Sequence, residues 1–118
     1  MPTTLKILGG SVLKEGDTEP NFRAKLLDGE NKPVDLTSVQ SISFHLRQEG
    51  APSPKVDATM TVTAADQGKV KYEWADDGSD TDSPGTFEGE VEITDGDGEI
   101  TTFPGDGYVT IQITEQLA

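Results

Sequence analysis

The sequence predicts an all-β protein, an antiparallel β-sandwich or small barrel of roughly 7–9 short strands. Three observations carry this. Six runs alternate apolar and polar residues with period two. Glycine- and proline-rich turn chemistry falls between the runs. No stretch of about 12 residues or more shows the 3.6-residue period of an amphipathic helix.

The runs follow one another at sandwich-like spacing. Phe22, Ala24 and Leu26 alternate with Arg23 and Lys25, and Ile42, Phe44 and Leu46 with Ser43, His45 and Arg47. Val56, Ala58, Met60 and Val62 form a third run. Val70, Tyr72 and Trp74 form a fourth, which places both aromatic rings on one inner face as core anchors. Phe87, Gly89, Val91 and Ile93 alternate with Glu88, Glu90 and Glu92, and Val109, Ile111 and Ile113 with Thr110, Gln112 and Thr114. Successive side chains on a strand point to opposite faces, so each run has one buried face and one wet face. Thr4–Leu8, Ser11–Leu13 and Ile100–Phe103 are weaker candidates. Asp28-Gly29, Gln67-Gly68, Pro84-Gly85, Asp95-Gly96 and Asp97-Gly98 supply turn positions. Asp35–Gln40 has room for one helical turn with Asp35 as N-cap. Residues 1–14 read as an N-terminal arm or edge strand, and 15–118 as a single sandwich domain. The arm pairs either with its own domain or with a neighbour.

Composition narrows the function classes. At 118 residues the chain is one domain. It has no cysteine and one histidine, which excludes disulfides, thiolate metal sites, thiol catalysis and any mechanism needing two histidines. With 22 acidic against 9 basic residues the net charge is −13, so nucleic acids and anionic membrane surfaces are expected to be repelled. No segment has the roughly 20 apolar residues of a membrane-spanning helix, and the N-terminus is too weakly apolar for a secretory signal. Cytoplasmic synthesis, with retention there or assembly into something larger, is the expectation. The dispersed acidity has two readings: colloidal repulsion, or adaptation to concentrated salt.

Each candidate for chemistry has a plainer reading. Asp76, Asp77, Asp80 and Asp82 offer hard oxygen ligands, but the acid and glycine spacing is not that of a calcium loop, and Asp95-Gly96-Asp97-Gly98-Glu99 reads as a hairpin turn. Glu73, Glu88, Glu90 and Glu92 fall on wet faces and form no poised acid–base pair. His45 lies on a polar face with no nucleophile motif beside it. Gly9-Gly10 is not followed by the Lys-Ser/Thr of a phosphate loop. No catalytic, cofactor-binding or metal-ligating residue is therefore assigned, and an enzyme is not expected. The open margins of a sandwich are its natural docking features.

The order of the short motifs goes further. Gly16-Asp17-Thr18-x-Pro20 precedes Phe22-Arg23-Ala24-x-Leu26 and Pro33-Val34-Asp35-Leu36. Ile42-x-Phe44-His45-Leu46-Arg47 and Gly68-Lys69-Val70-x-Tyr72-x-Trp74 follow. Asp80-Thr81-Asp82-x-Pro84-Gly85-x-Phe87, Asp97-Gly98 and Thr101-Thr102-Phe103-Pro104 complete the set. Over about residues 15–115 this resembles the N-terminal domain family of the phage baseplate upper protein. The resemblance implies an immunoglobulin-like β-sandwich that serves as a virion structural module. It carries over no catalytic residue. In larger relatives the domain plugs a receptor-binding apparatus into the tail and a fibre-like region follows. A single domain fits a smaller virion component: a baseplate or neck adaptor, or a capsid decoration. The expected partners are other virion proteins and further copies of the chain. The expected location is the virion, assembled in the host cytoplasm, and no cofactor is expected. The alternative is a carbohydrate- or receptor-binding sandwich, for which Tyr108 and Phe103 are the candidate exposed aromatics.

If the acidity is an adaptation to brine, screening of self-repulsion raises the melting temperature between dilute buffer and molar salt. Calorimetry in a salt series checks this, and a flat or falling melting temperature contradicts it.

Overall fold

The computed structural model describes residues 2–117. Its strands are β1 (Thr4–Gly9), β2 (Val12–Lys14), β3 (Phe22–Leu27), β4 (Val39–Gln48), β5 (Val56–Thr59), β6 (Thr61–Ala64), β7 (Lys69–Tyr72), β8 (Gly85–Asp95), β9 (Ile100–Phe103) and β10 (Val109–Thr114). The helical content is two single 3-10 turns, Ala65–Gln67 and Ser79–Thr81. No helix is long and apolar enough to cross a membrane.

Two sheets pack face to face. One has the order β1-β3-β7-β6; the other runs β2-β10-β8-β4-β5, with β9 also paired to β8. This is the two-sheet order of an immunoglobulin-like sandwich. All pairs are antiparallel except β2 with β10. That parallel pair arises because β2 continues onward from β1 and crosses to the other sheet without reversing. Gly10 makes the crossing possible: its φ is +79°, and a Cβ there would lie 2.3 Å from the carbonyl oxygen of Asn21. Leu5 of β1 and Leu13 of β2 are both buried. Residues 4–14, set apart in the sequence as an arm, thus supply edge strands to both sheets of their own domain. Thr3 ties the same segment to β9, donating its hydroxyl to Thr102 O at 2.7 Å and accepting from Gly105 N at 2.9 Å.

The strand count is ten because the three weaker candidates all form and one strong run divides. The alternation from Val56 to Val62 is continuous in sequence, but the chain changes sheets at Met60. β5 pairs with β4, whereas β6 pairs with β7. Met60 is buried at the crossing and its N–H donates to Ile42 O at 2.9 Å. Val62, expected on the inner face, is exposed. Asp35 nucleates no helical turn. It accepts the N–H and hydroxyl of Thr37 in a tight turn that leads directly into β4. Residues 28–38 form an irregular stretch, anchored by Leu36 in the core.

Apart from Val62, the core draws on the expected alternating inward residues, with Ala58, Tyr72 and Val109 partly buried against it and Leu36 added from the irregular stretch. Its centre is aromatic. Phe44 of β4 stacks on Phe22 of β3 at 4.8 Å between centroids and lies 5.1 Å from Tyr72 of β7. The Trp74 ring meets both Phe44 and Tyr72 edge-on, at 6.1 and 5.4 Å. Such pairs stabilise by about 0.5–1.5 kcal/mol beyond the area they bury. Phe44 joins one sheet to three rings packed from the other side. Phe44→Ala should therefore lose about 3–5 kcal/mol of unfolding free energy. Urea denaturation measures it, and a loss below about 1 kcal/mol would show that the sheets are held together elsewhere.

Candidate functional site

The outer face of the six-stranded sheet carries an open groove of about 260 Å³ between β4, β5, β8 and the segment just before β10. The β-pleat places its side chains. His45 and Arg47 project outward from β4, opposite Glu90 and Glu88 of β8 in register. Asp57 of β5 stands opposite His45 on the other side. Pro52 and Pro54, in the β4–β5 loop, and Tyr108 complete the walls. Tyr108 reaches the groove because β9 and β10 line the same edge of β8 but are interrupted. Phe103 pairs with Val91 and Val109 with Gly89, so residues 104–108 bulge outward between them.

The charged groups hold one another. Arg47 Nε donates to Glu88 Oε1 at 2.9 Å, and the guanidinium lies 4.9 Å from the centre of the Tyr108 ring. Glu88, and then Tyr108, hold the guanidinium protonated more firmly than usual. His45 sits between two carboxylates, with Nε2 3.3 Å from Asp57 and Nδ1 3.5 Å from Glu90. The groove thus presents an Arg–Tyr stack, a histidine and acids on a firm sheet. That arrangement can bind a small polar ligand by stacking and hydrogen bonding.

The other sequence candidates lie elsewhere, and Asp77, Asp80, Asp82 and Asp95 are occupied in holding turns and corners of the fold. Asp80 accepts the Tyr72 hydroxyl at 2.7 Å and Ala75 N at 2.8 Å. Its neighbour Thr81 is fully buried and donates to Asp17 O at 2.8 Å, which locks the corner before β8 to the β2–β3 loop. Asp77 caps Ser79, and Asp82 pairs with Lys55 at 2.6 Å. Each carboxyl is held below its usual range, Asp77 by Ser79 and Asp82 chiefly by Lys55. Asp95 accepts N–H groups of Asp97 and Glu99 in the β8–β9 hairpin. Among the described residues no group of three or more His, Asp or Glu side chains is arranged to hold a metal ion. Glu73 lies beyond the end of β7, 3.0 Å from Lys71, and Glu92 is on the outer face of β8 away from the groove lining. Trp74 is buried and its Nε1 donates to Pro20 O at 2.9 Å. Phe103, the second candidate for an exposed aromatic, is 1% exposed, because β9 turns it inward beside Val91. Tyr108 is 49% exposed.

In the sequence His45 and Tyr108 read as separate surface residues, and nothing joins them. Arg47 reads there as a polar strand position and as the last residue of the Ile42–Arg47 motif, not as a groove residue. The missing signal was the interruption between β9 and β10. Pro104-Gly105-Asp106-Gly107 hinted at it as a turn, without giving the strand that follows the same neighbour as the one before.

No protein-family model matches the chain, and no curated protein matches it.

Burial and the Asp80 carboxylate push the Tyr72 phenol well above its ordinary range. A phenol raised in the folded state adds stability that is complete below the unfolded value near 10 and is lost as pH climbs above it. Tyr72→Phe should cost about 1–2 kcal/mol at neutral pH. The gap to wild type should close as the solution passes about pH 10. Urea melts of both proteins across that range test this, and a gap that widens with alkalinity contradicts it.

Proposed function

We propose that the chain is a non-enzymatic structural protein of a tailed virus, an oligomeric adaptor or decoration module of the baseplate, neck or capsid. The observation that carries this reading is where the ordered motifs sit. Thr81, Pro84-Gly85 and Phe87 make the corner and start of β8, Phe44 and Trp74 build the core, and Phe103-Pro104 ends β9. These are the pieces on which the resemblance to the phage baseplate family rests, and they serve as the frame of one immunoglobulin-like unit. The margins support docking. β1 and β6 border one sheet, β2 and β5 the other, each paired on one side only among the described residues. Leu8 on β1 and Val12 on β2 are exposed apolar residues on consecutive edge strands. An edge with free backbone donors and acceptors and apolar side chains suits strand addition or edge packing against a neighbouring virion protein.

The groove favours a second reading. Tyr108, braced by Arg47 and flanked by carboxylates, is the kind of half-exposed ring on which a sugar stacks. Glycan-array binding that Tyr108→Ala abolishes would favour a carbohydrate- or receptor-binding sandwich over the structural module.

Mass spectrometry of purified virus particles tests the first reading. The chain should be present at a fixed copy number that follows particle symmetry, and its absence from intact particles would end the proposal.

A further inference from the structure

The charges of this acidic protein are segregated between its two faces. β1, β3, β6 and β7, which make up the whole four-stranded sheet, contain none of the 22 acidic residues. They contain five of the nine basic ones: Lys6, Arg23, Lys25, Lys69 and Lys71. All five alternate with inward-facing core positions, so all belong to the outer face. Four basic residues remain to offset 22 acidic ones over the rest of the chain.

Strand register concentrates these cations. Lys6 stands opposite Lys25, and Lys25 opposite Lys69, so three amines form one row across the sheet. Arg23 stands opposite Lys71 in the next row. Directly opposed like charges destabilise a sheet. Anions close by would relieve this. Among the described residues, Lys71 alone of the five has a carboxylate within 4.0 Å, that of Glu73. Outside this sheet Lys32, Arg47 and Lys55 all have carboxylate partners. Four of the five cations of this face thus have no carboxylate within 4.0 Å in a chain with anions to spare, Lys6 and Arg23 being exposed and Lys25 and Lys69 half-buried.

We infer that this face is a docking surface for a second copy of the chain, which presents the acidic outer face of its six-stranded sheet. That face carries Glu88, Glu90 and Glu92 along β8 and Asp57 on β5, against Arg47, which is held by Glu88, and His45 on β4. Glu92 stands between Ser43 and Thr102 and has no cation within 4.0 Å among the described residues. Both surfaces are pleated sheets with the same grid: about 6.8 Å between alternate residues along a strand and about 4.8 Å between strands. The spacing from Lys69 to Lys71 therefore matches that from Glu90 to Glu92. The contact joins different faces of the two copies, so it is heterologous and propagates into a ring or a stack. Four short strands offer a footprint of only about 20 by 20 Å, which places the pair among weak interfaces. Such a contact gains strength where copies are held together, as in a particle. The inference rests on the structural reading to that extent only. Mass spectrometry of particles tests that reading, whereas the behaviour of the purified chain tests this one.

The test is self-association by sedimentation at protein concentrations up to about 1 mM. Wild type should associate near physiological salt and dissociate near molar salt, where the Debye length falls to about 3 Å. Lys25→Gln/Lys69→Gln and Glu90→Gln/Glu92→Gln should each be folded, by circular dichroism, and monomeric. Mixed together, they should form a dimer and nothing longer, because each keeps the face the other has lost. A wild type that stays monomeric at every salt concentration would overturn the inference, as would association that persists in molar salt or a mixture that fails to pair. A labelled DNA duplex covers the other polyanion. Lysine-dependent duplex binding by a monomeric protein would mean that the face reads phosphates instead.

Discussion

Everything in this molecule hangs on the contact of four aromatic rings across the gap between two sheets. Phe44 comes from one sheet, Phe22 and Tyr72 from the other, and Trp74 closes the group from just beyond β7. With no cysteine, no disulfide links the layers, and a domain of this size has few other ways to fix them. The polar handles of the cluster extend its reach. Trp74 donates to the carbonyl of Pro20, and Tyr72 donates to Asp80. Asp80 then fixes the backbone at Ala75, and Thr81 beside it bonds to the carbonyl of Asp17. One hydrophobic contact thus sets the position of the long β7–β8 connection and the β2–β3 loop together.

A core that fixes both sheets also fixes which charges share a face. Alternation dictates that β3 and β7 turn Phe22, Ala24 and Val70 inward and Arg23, Lys25, Lys69 and Lys71 outward. Pairing β3 with β7 then lines the cations up. On the other sheet the same rule turns Glu88, Glu90 and Glu92 outward from β8. The net charge of −13 conceals two unlike surfaces. Its long-range effect is repulsion of anions, but over a Debye length of about 8 Å a partner meets one face and not the average.

The acidic side chains divide by task. Asp28, Asp35, Asp77 and Asp95 accept backbone N–H groups in turns, where a short carboxylate takes the place of a peptide carbonyl. The N–H groups of Lys32 and Glu30 hold the Asp28 carboxyl below its usual range, and the Thr37 hydroxyl, then its N–H, does the same for Asp35. Glu88 and Glu90 serve the groove, where they brace Arg47 and approach His45. The dense acidic stretch from Asp76 to Asp82 is therefore a folded corner whose carboxylates are already engaged at Asp77, Asp80 and Asp82.

The all-β class, the inward residues of nearly every strand and the turns between them are legible in the order of the amino acids. Those properties follow from period-two alternation and from local glycine and aspartate chemistry. What crosses between the sheets follows only from the packed fold. The switch at Met60 leaves the alternation of Val56 to Val62 unbroken, so no local signal marks it. The passage of the N-terminal segment from β3 to β10 needs the close approach of Gly10 to Asn21, and a glycine pair in the sequence does not name its neighbour. The groove and the cationic face have the same origin. Tyr108 lies far along the chain from His45 and Arg47, as Lys6, Lys25 and Lys69 lie far from one another. They become neighbours only through strand pairing, and register is set by the fit of the whole core.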